Sequence, residues 1–242
     1  MASLFLIFTV LVVGGIAAAI IRYLDGRRRW IALSILLAWV VYTGTLGISG
    51  VLASPGGVPR IALILIPTLA GALFLAFSDA GRTVALSIPL SLLIGAQTFR
   101  IIVELFIHQL WSVGLMPRML TYQGANFDIL VGLSAPVVAW FVAHGRLSNR
   151  LALAWNALGL VLLANIVGRA ILTTPALQVL VTEVPNRAVG TFPFTFIAGV
   201  MAPLALTLHV LAIRALLARR RAERAAPPQD RISGSTARVY EK

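Results

Sequence analysis

Cysteine is absent from this chain of 242 residues, and acidic residues are few, eight against twenty basic ones. Without thiols there can be no disulfide, thiolate metal site or cysteine nucleophile. Charged residues amount to 12%, about half of the roughly 25% usual in a soluble domain. The sequence has no HExxH motif, and its three histidines, His108, His144 and His209, are far apart. Neither a zinc site nor a bis-histidine haem is expected from such a set, so no metal and no cofactor is assigned.

The chain does have long apolar runs. Hydrophobic residues make up 59%, and the mean hydropathy is +0.93. The expected fold is all-α, a polytopic helix bundle in a membrane, with one domain over 1–218 and a basic, disordered tail over 219–242. The tail contains Arg219 to Arg221 and then proline and serine, with too few apolar side chains to fold alone. The net charge of +12 does not indicate nucleic acid, because the arginines cluster in short connections and at the carboxyl end.

About 20 apolar residues span a bilayer as a helix. Seven segments approach that length, at roughly 3–24, 30–52, 61–77, 89–116, 128–143, 151–173 and 193–217. The stretch 82–88 reads as a short interfacial helix. One set of connections carries Arg22, Arg27 to Arg29, Arg82, Arg146, Arg150 and the tail arginines, while the other carries only Arg60, Arg118 and Arg187. Positive charge marks the cytoplasmic side, so seven spans with the amino terminus outside and the carboxyl terminus inside are expected. Segment one has its basic residues after its apolar core, which suits a retained anchor better than a cleaved signal peptide. Gly14–Gly15 and Gly47 with Gly50 are expected at close helix contacts.

Arg100, Glu104 and His108 lie four residues apart in segment four, on one helical face. An ionisable group at membrane depth costs about 2.5–3.5 kcal/mol on insertion scales, so it faces a protein interior and is a candidate functional residue. Asp128 opens segment five, either as a first-turn acid or as a partner of Arg169. Asn165 and Arg169 share a face of segment six and are expected to complete a polar pocket with Glu104 and His108. Asn156 and His209 are secondary candidates. Two readings are open. In one, these residues form a ligand or proton site, with Glu104 titrating, Arg100 clamping an anion and His108 relaying. In the other they fix helix packing, with Glu104 paired to Arg100 or Arg169. Ser112, one turn after His108, is either a nucleophile or a back-bond to its own helix.

Seven spans invite comparison with microbial rhodopsins, but the single lysine is Lys242 and no span offers a retinal attachment point. FRIIVELFIHQL at 99–110, NFDILVGLSAP at 126–136 and WNALGLVLLANIV at 155–167, with FPF at 192–194 and the run 203–214, resemble small multi-pass bacterial membrane proteins of unassigned function. The resemblance implies a bacterial inner membrane and a site on segments four to seven. The expected function is binding or transport of a small polar or anionic solute, with or without proton coupling. The alternatives are an intramembrane enzyme acting on a lipid and a structural or assembly subunit. The expected partners are the lipid bilayer and a small-molecule or ion ligand.

Overall fold

A computed structural model of the chain describes residues 1–53 and 60–225. Those residues form an all-helical fold. The helices are α1 (Ala2–Tyr23), α2 (Gly26–Ile48), α3 (Ala62–Phe77), α4 (Asp79–Ser87), α5 (Leu90–Gly95), α6 (Phe99–Ser112), α7 (Asp128–Ala143), α8 (Asn149–Leu172) and α9 (Ala202–Ala225). Five stretches are long and apolar enough to cross a membrane, at Ala2–Tyr23, Gly26–Ile48, Leu90–Ser112, Asn149–Leu172 and Ile197–Ala222. The pair α3 and α4, bent by 80°, makes a sixth if it is taken as one span. α7, the fifth segment of the sequence reading, has 16 residues and is a shorter apolar helix.

Three segments differ in detail from the expectation. Segment four is broken, with α5 passing through a 3-10 turn at Ala96–Thr98 into α6. Segment seven begins with a π-helical turn at Ile197–Met201. α9 continues to Ala225, so the chain past Arg219, expected as disordered tail, is still helical there. The rest of that tail, 226–242, lies outside the described residues.

α9 is the central helix, with α3, α4, α5 and α8 all packing on it. α1 and α2 are peripheral, and leucine, valine and isoleucine side chains on both are exposed, as suits lipid-facing helices. The buried apolar side chains form two clusters. One, around Phe5, Leu110 and Met201, reaches Ala205 on α9, and the other, around Ile94 and Leu216, takes up α9 at Leu208. Phe99 packs against both. Arg100 and His209 therefore lie where the apolar core divides.

Two prolines shape this region. Pro203 has no N–H, so the carbonyl of Gly199, four residues earlier, loses its helical donor. Trp39 Nε1 on α2 donates to that oxygen at 2.5 Å. Pro67 inside α3 frees the carbonyl of Leu63 in the same way, and the Tyr42 hydroxyl on α2 donates to it at 3.0 Å. In lipid such carbonyls have no water to turn to, which explains why a peripheral helix carries both donors. At the α3–α4 corner, Arg214 of α9 donates to the carbonyls of Ala76, in the last turn of α3, and Ser78, which also accepts from the Arg82 nitrogen. Gly47 packs tightly, since a Cβ there would lie 2.6 Å from Thr195 Oγ1, whereas Gly14 and Gly15 have nothing within 4 Å and make no close helix contact.

The proline compensation is testable. Trp39→Phe keeps the ring and removes the N–H. It should lower the stability of the purified protein by about 1–3 kcal/mol, the usual cost of an orphaned buried polar group, as measured by unfolding in bicelles. Unchanged stability would show that the Gly199 carbonyl finds another donor.

Candidate functional site

The site is built from α6, α7, α8 and α9. Arg100 comes from the first turn of α6 and is buried. Its Nη2 forms an ion pair with Asp128 Oδ2 at the start of α7. Gly132, one turn after Asp128, makes this approach possible, because a Cβ there would lie 2.9 Å from Ile101 Cγ1 and 3.0 Å from the Ile101 nitrogen. Its small size lets α7 close on α6 and brings the carboxylate to the guanidinium. Asp128 also stands in the first turn of its helix, where the dipole favours an acid. The sequence reading offered Arg169 as its charged partner, but the fold supplies Arg100.

Arg100 Nη1 donates to His209 Nε2 at 3.2 Å. The guanidinium has only donors, so Nε2 is the accepting nitrogen and Nδ1 carries the proton. Nδ1 then donates to Asn156 Oδ1 at 2.9 Å. The Asn156 amide is oriented by its own Nδ2, which donates to the Ala152 carbonyl at 2.9 Å. The His209 ring lies on Gly159, where a Cβ would come 2.3 Å from Cε1 and 2.5 Å from Nε2. Asn156 and His209, secondary candidates in the sequence, thus hold Arg100 from the side opposite Asp128.

Glu104 is not paired with Arg100. Its Oε2 accepts from Asn126 Nδ2 at 2.7 Å. Asn126 is buried, donates also to the Leu120 carbonyl at 3.0 Å, and accepts from the Asp128 nitrogen at 3.0 Å. It ties Glu104 to the start of α7 and uses both its donors and its acceptor to do so. In the sequence Asn126 stood only as the first residue of the stretch 126–136, with no role; its place two residues before a first-turn Asp is the signal for it.

The other expected residues lie farther along. Arg169 Nε donates to Asn165 Oδ1 at 2.9 Å, and Asn165 Nδ2 donates to the Ala125 carbonyl at 2.8 Å. This pair braces the loop that carries Asn126; neither an Arg169 ion pair with Glu104 nor one with Asp128 is formed. His108 is stacked on Tyr122 with ring centroids 4.8 Å apart and also meets Trp111. Ser112 Oγ donates to the Gln109 carbonyl at 2.7 Å, a back-bond within its own turn.

A cavity of about 230 Å³ adjoins the cluster. Arg100, Glu104 and Asp128 lie along its wall, and most of the remaining wall is aliphatic, from α3, α6, α8 and α9. Pro203 is also on the wall, as is Val189 from the long connection before α9. That connection covers its end of the bundle, with the Arg187 and Ala188 nitrogens donating to the Leu115 carbonyl and Glu183 accepting from the Arg118 nitrogen. The cluster contributes one guanidinium and two carboxyls, so its charges do not balance unless one carboxyl carries a proton or meets a cation.

One contrast on α8 checks the geometry. Gly159→Ala puts a methyl into the His209 ring and should cost about 1–3 kcal/mol, as overpacking does. Gly168→Ala on the same helix meets nothing within 4 Å and should be neutral or slightly stabilising. Equal unfolding midpoints for the two variants would contradict the seating of His209.

Comparison with known proteins finds one family. Residues 58–217 match a domain of unknown function, DUF8737. No curated protein and no solved structure matches the chain.

Proposed function

The chain belongs to the DUF8737 family, and we propose that it binds or transports a small molecule at the wall formed by Arg100, Glu104 and Asp128. In this reading it is a multi-pass protein of the bacterial inner membrane with seven spans, its amino terminus outside and its carboxyl terminus inside. The alternation of arginines between connections supports that topology. α3 and α7 are then the short spans. The 16 residues of each rise about 24 Å, less than the roughly 30 Å hydrocarbon core, and local thinning of the bilayer absorbs such a difference at modest cost.

The observation that carries the function is the meeting of a buried charged cluster with a cavity. Charges that only fixed packing would be better served by a dry, fully paired arrangement. Arg100 already faces Asp128 and His209, so it has little left with which to clamp an anion. The site suits a ligand that brings a hydrogen-bond donor to the carboxyls, and a proton on Glu104, or a cationic donor, balances the cluster. Proton coupling is the natural extension of that arrangement. A second reading, chemistry on a lipid with the two carboxyls as acid and base, is favoured by the aliphatic wall.

Reconstitution tests the proposal. Proteoliposomes screened on solid-supported membranes with alcohols, amines and carboxylates of increasing chain length should give proton-coupled currents for donor-bearing solutes. Glu104→Gln and Asp128→Asn should each remove them. Currents that survive both substitutions would rule out this wall as the site. Altered lipid composition in a deletion strain, with no current in the liposomes, would favour the lipid enzyme.

A further inference from the structure

We infer that the ligand of this cavity is a single-chain amphiphile, a hydrocarbon chain ending in a hydrogen-bond donor such as a hydroxyl or amine, and that it enters sideways from the bilayer. This rests on the reading of the cavity as a binding site and narrows its ligand.

The chemistry of the wall defines the two ends of the molecule. Ile64, Leu65, Val103, Leu163, Met201 and Leu206 give the body of the cavity an aliphatic surface, with polar groups confined to a few positions. A fully water-soluble solute would leave its own polar groups unpaired against such a surface, whereas a chain of methylenes loses nothing there. The polar positions call for a donor. Asp128 is buried, and its Oδ1 has no hydrogen-bond partner among the described residues. The same holds for Thr68 Oγ1, which lies on the α3 wall of the same cavity. Glu104 spends Oε2 on Asn126. A carboxylate oxygen only accepts, and the charge of the guanidinium that would attract an anion is already matched by Asp128, with Glu104 adding a second carboxyl beside it. An acid or phosphate head therefore meets no net positive charge, while a hydroxyl or amine finds an acceptor.

Size and access agree with this. Pockets for drug-sized ligands run from about 300 to 1,000 Å³, and this cavity, at about 230 Å³, is below that range. It holds one hydrocarbon chain or part of one, not two side by side. α3 and α8 each pack on α9, and both contribute to the wall. Leu69 on α3 and Ala164 on α8 belong to the lining and are also exposed at the outer surface of the bundle. The mouth is thus a slot between two helices that face hydrocarbon, and a chain already dissolved in the membrane reaches it without crossing water.

The experiment uses the full chain in nanodiscs and a dodecanol carrying a diazirine at its methyl end. After photolysis, adducts are mapped by mass spectrometry in the presence of unlabelled competitors. The expected adducts fall on the lining of α3, α8 and α9. Dodecanol and dodecylamine compete for them, while dodecane and butanol compete about tenfold more weakly. Ala164→Trp, at the exposed mouth, should reduce these adducts about tenfold while labelling of the lipid-facing sides of α1 and α2 continues as an internal standard. Asp128→Asn, with Glu104→Gln as a second variant, should keep the adducts and lose the preference for dodecanol over dodecane. If butanol or dodecanoate competes as well as dodecanol, the amphiphile assignment is overturned while the binding site stands. If labelling is equal on all lipid-facing helices and unaffected by any variant, both the amphiphile and the site are overturned.

Discussion

The contact between Arg100 and Asp128 is the one on which the rest of the structure depends. A guanidinium this deep in an apolar bundle needs an anion and further acceptors. Asp128 supplies the charge and His209 the second acceptor, and each of these partners is itself held, Asp128 by the start of α7 and His209 by Asn156. Three helices are tied to α6 in this way, and α9, the centre of the bundle, takes its rotational setting from the imidazole. Because the charge of Arg100 is met by Asp128, Glu104 one turn away is left to Asn126 and to the cavity. The pairing that stabilises the fold is thus also what gives the site its surplus of acceptors.

The bilayer accounts for several features that would be unremarkable in water. Prolines in α3 and just inside α9 release carbonyls, and α2 contributes Tyr42 and Trp39 to meet them. The break at the start of α9 has two effects, since Pro203 also lies on the cavity wall. Irregular backbone at membrane depth is tolerated where it is buried or borders a cavity, and both conditions hold here. Glycines act in the opposite sense. At Gly132 and Gly159 the missing side chain is the space that a neighbouring helix or ring occupies.

The helical class and the identity of the polar positions were legible in the sequence because hydropathy and cost of burial are local properties. Arg100, Glu104 and Asp128 all line the cavity. Their pairing was less legible. Spacing of four residues suggested Arg100 with Glu104, a rule that compares neighbours on one helix, whereas the guanidinium turned to an acid on another helix. That choice depends on Gly132 admitting α7 and on Asn126 occupying Glu104, and neither fact can be read from the spacing within α6. His209 was a secondary candidate only, and nothing in the spacing names Arg100 as its partner. The 3-10 turn before α6 and the π turn before α9 change the rise per residue in both segments, so depths counted along straight helices do not carry over. His108 fits the helical spacing and still stands apart, stacked on Tyr122.

The most direct test is a pair of double-mutant cycles on unfolding in bicelles, one for Arg100→Gln with Asp128→Asn and the other for Arg100→Gln with Glu104→Gln. Contacting pairs couple by about 0.5–3 kcal/mol. The structure places the Arg100–Asp128 cycle towards the top of that range and the Arg100–Glu104 cycle at or near zero. The reverse order, with Arg100 coupled to Glu104 and indifferent to Asp128, would contradict the account at its base.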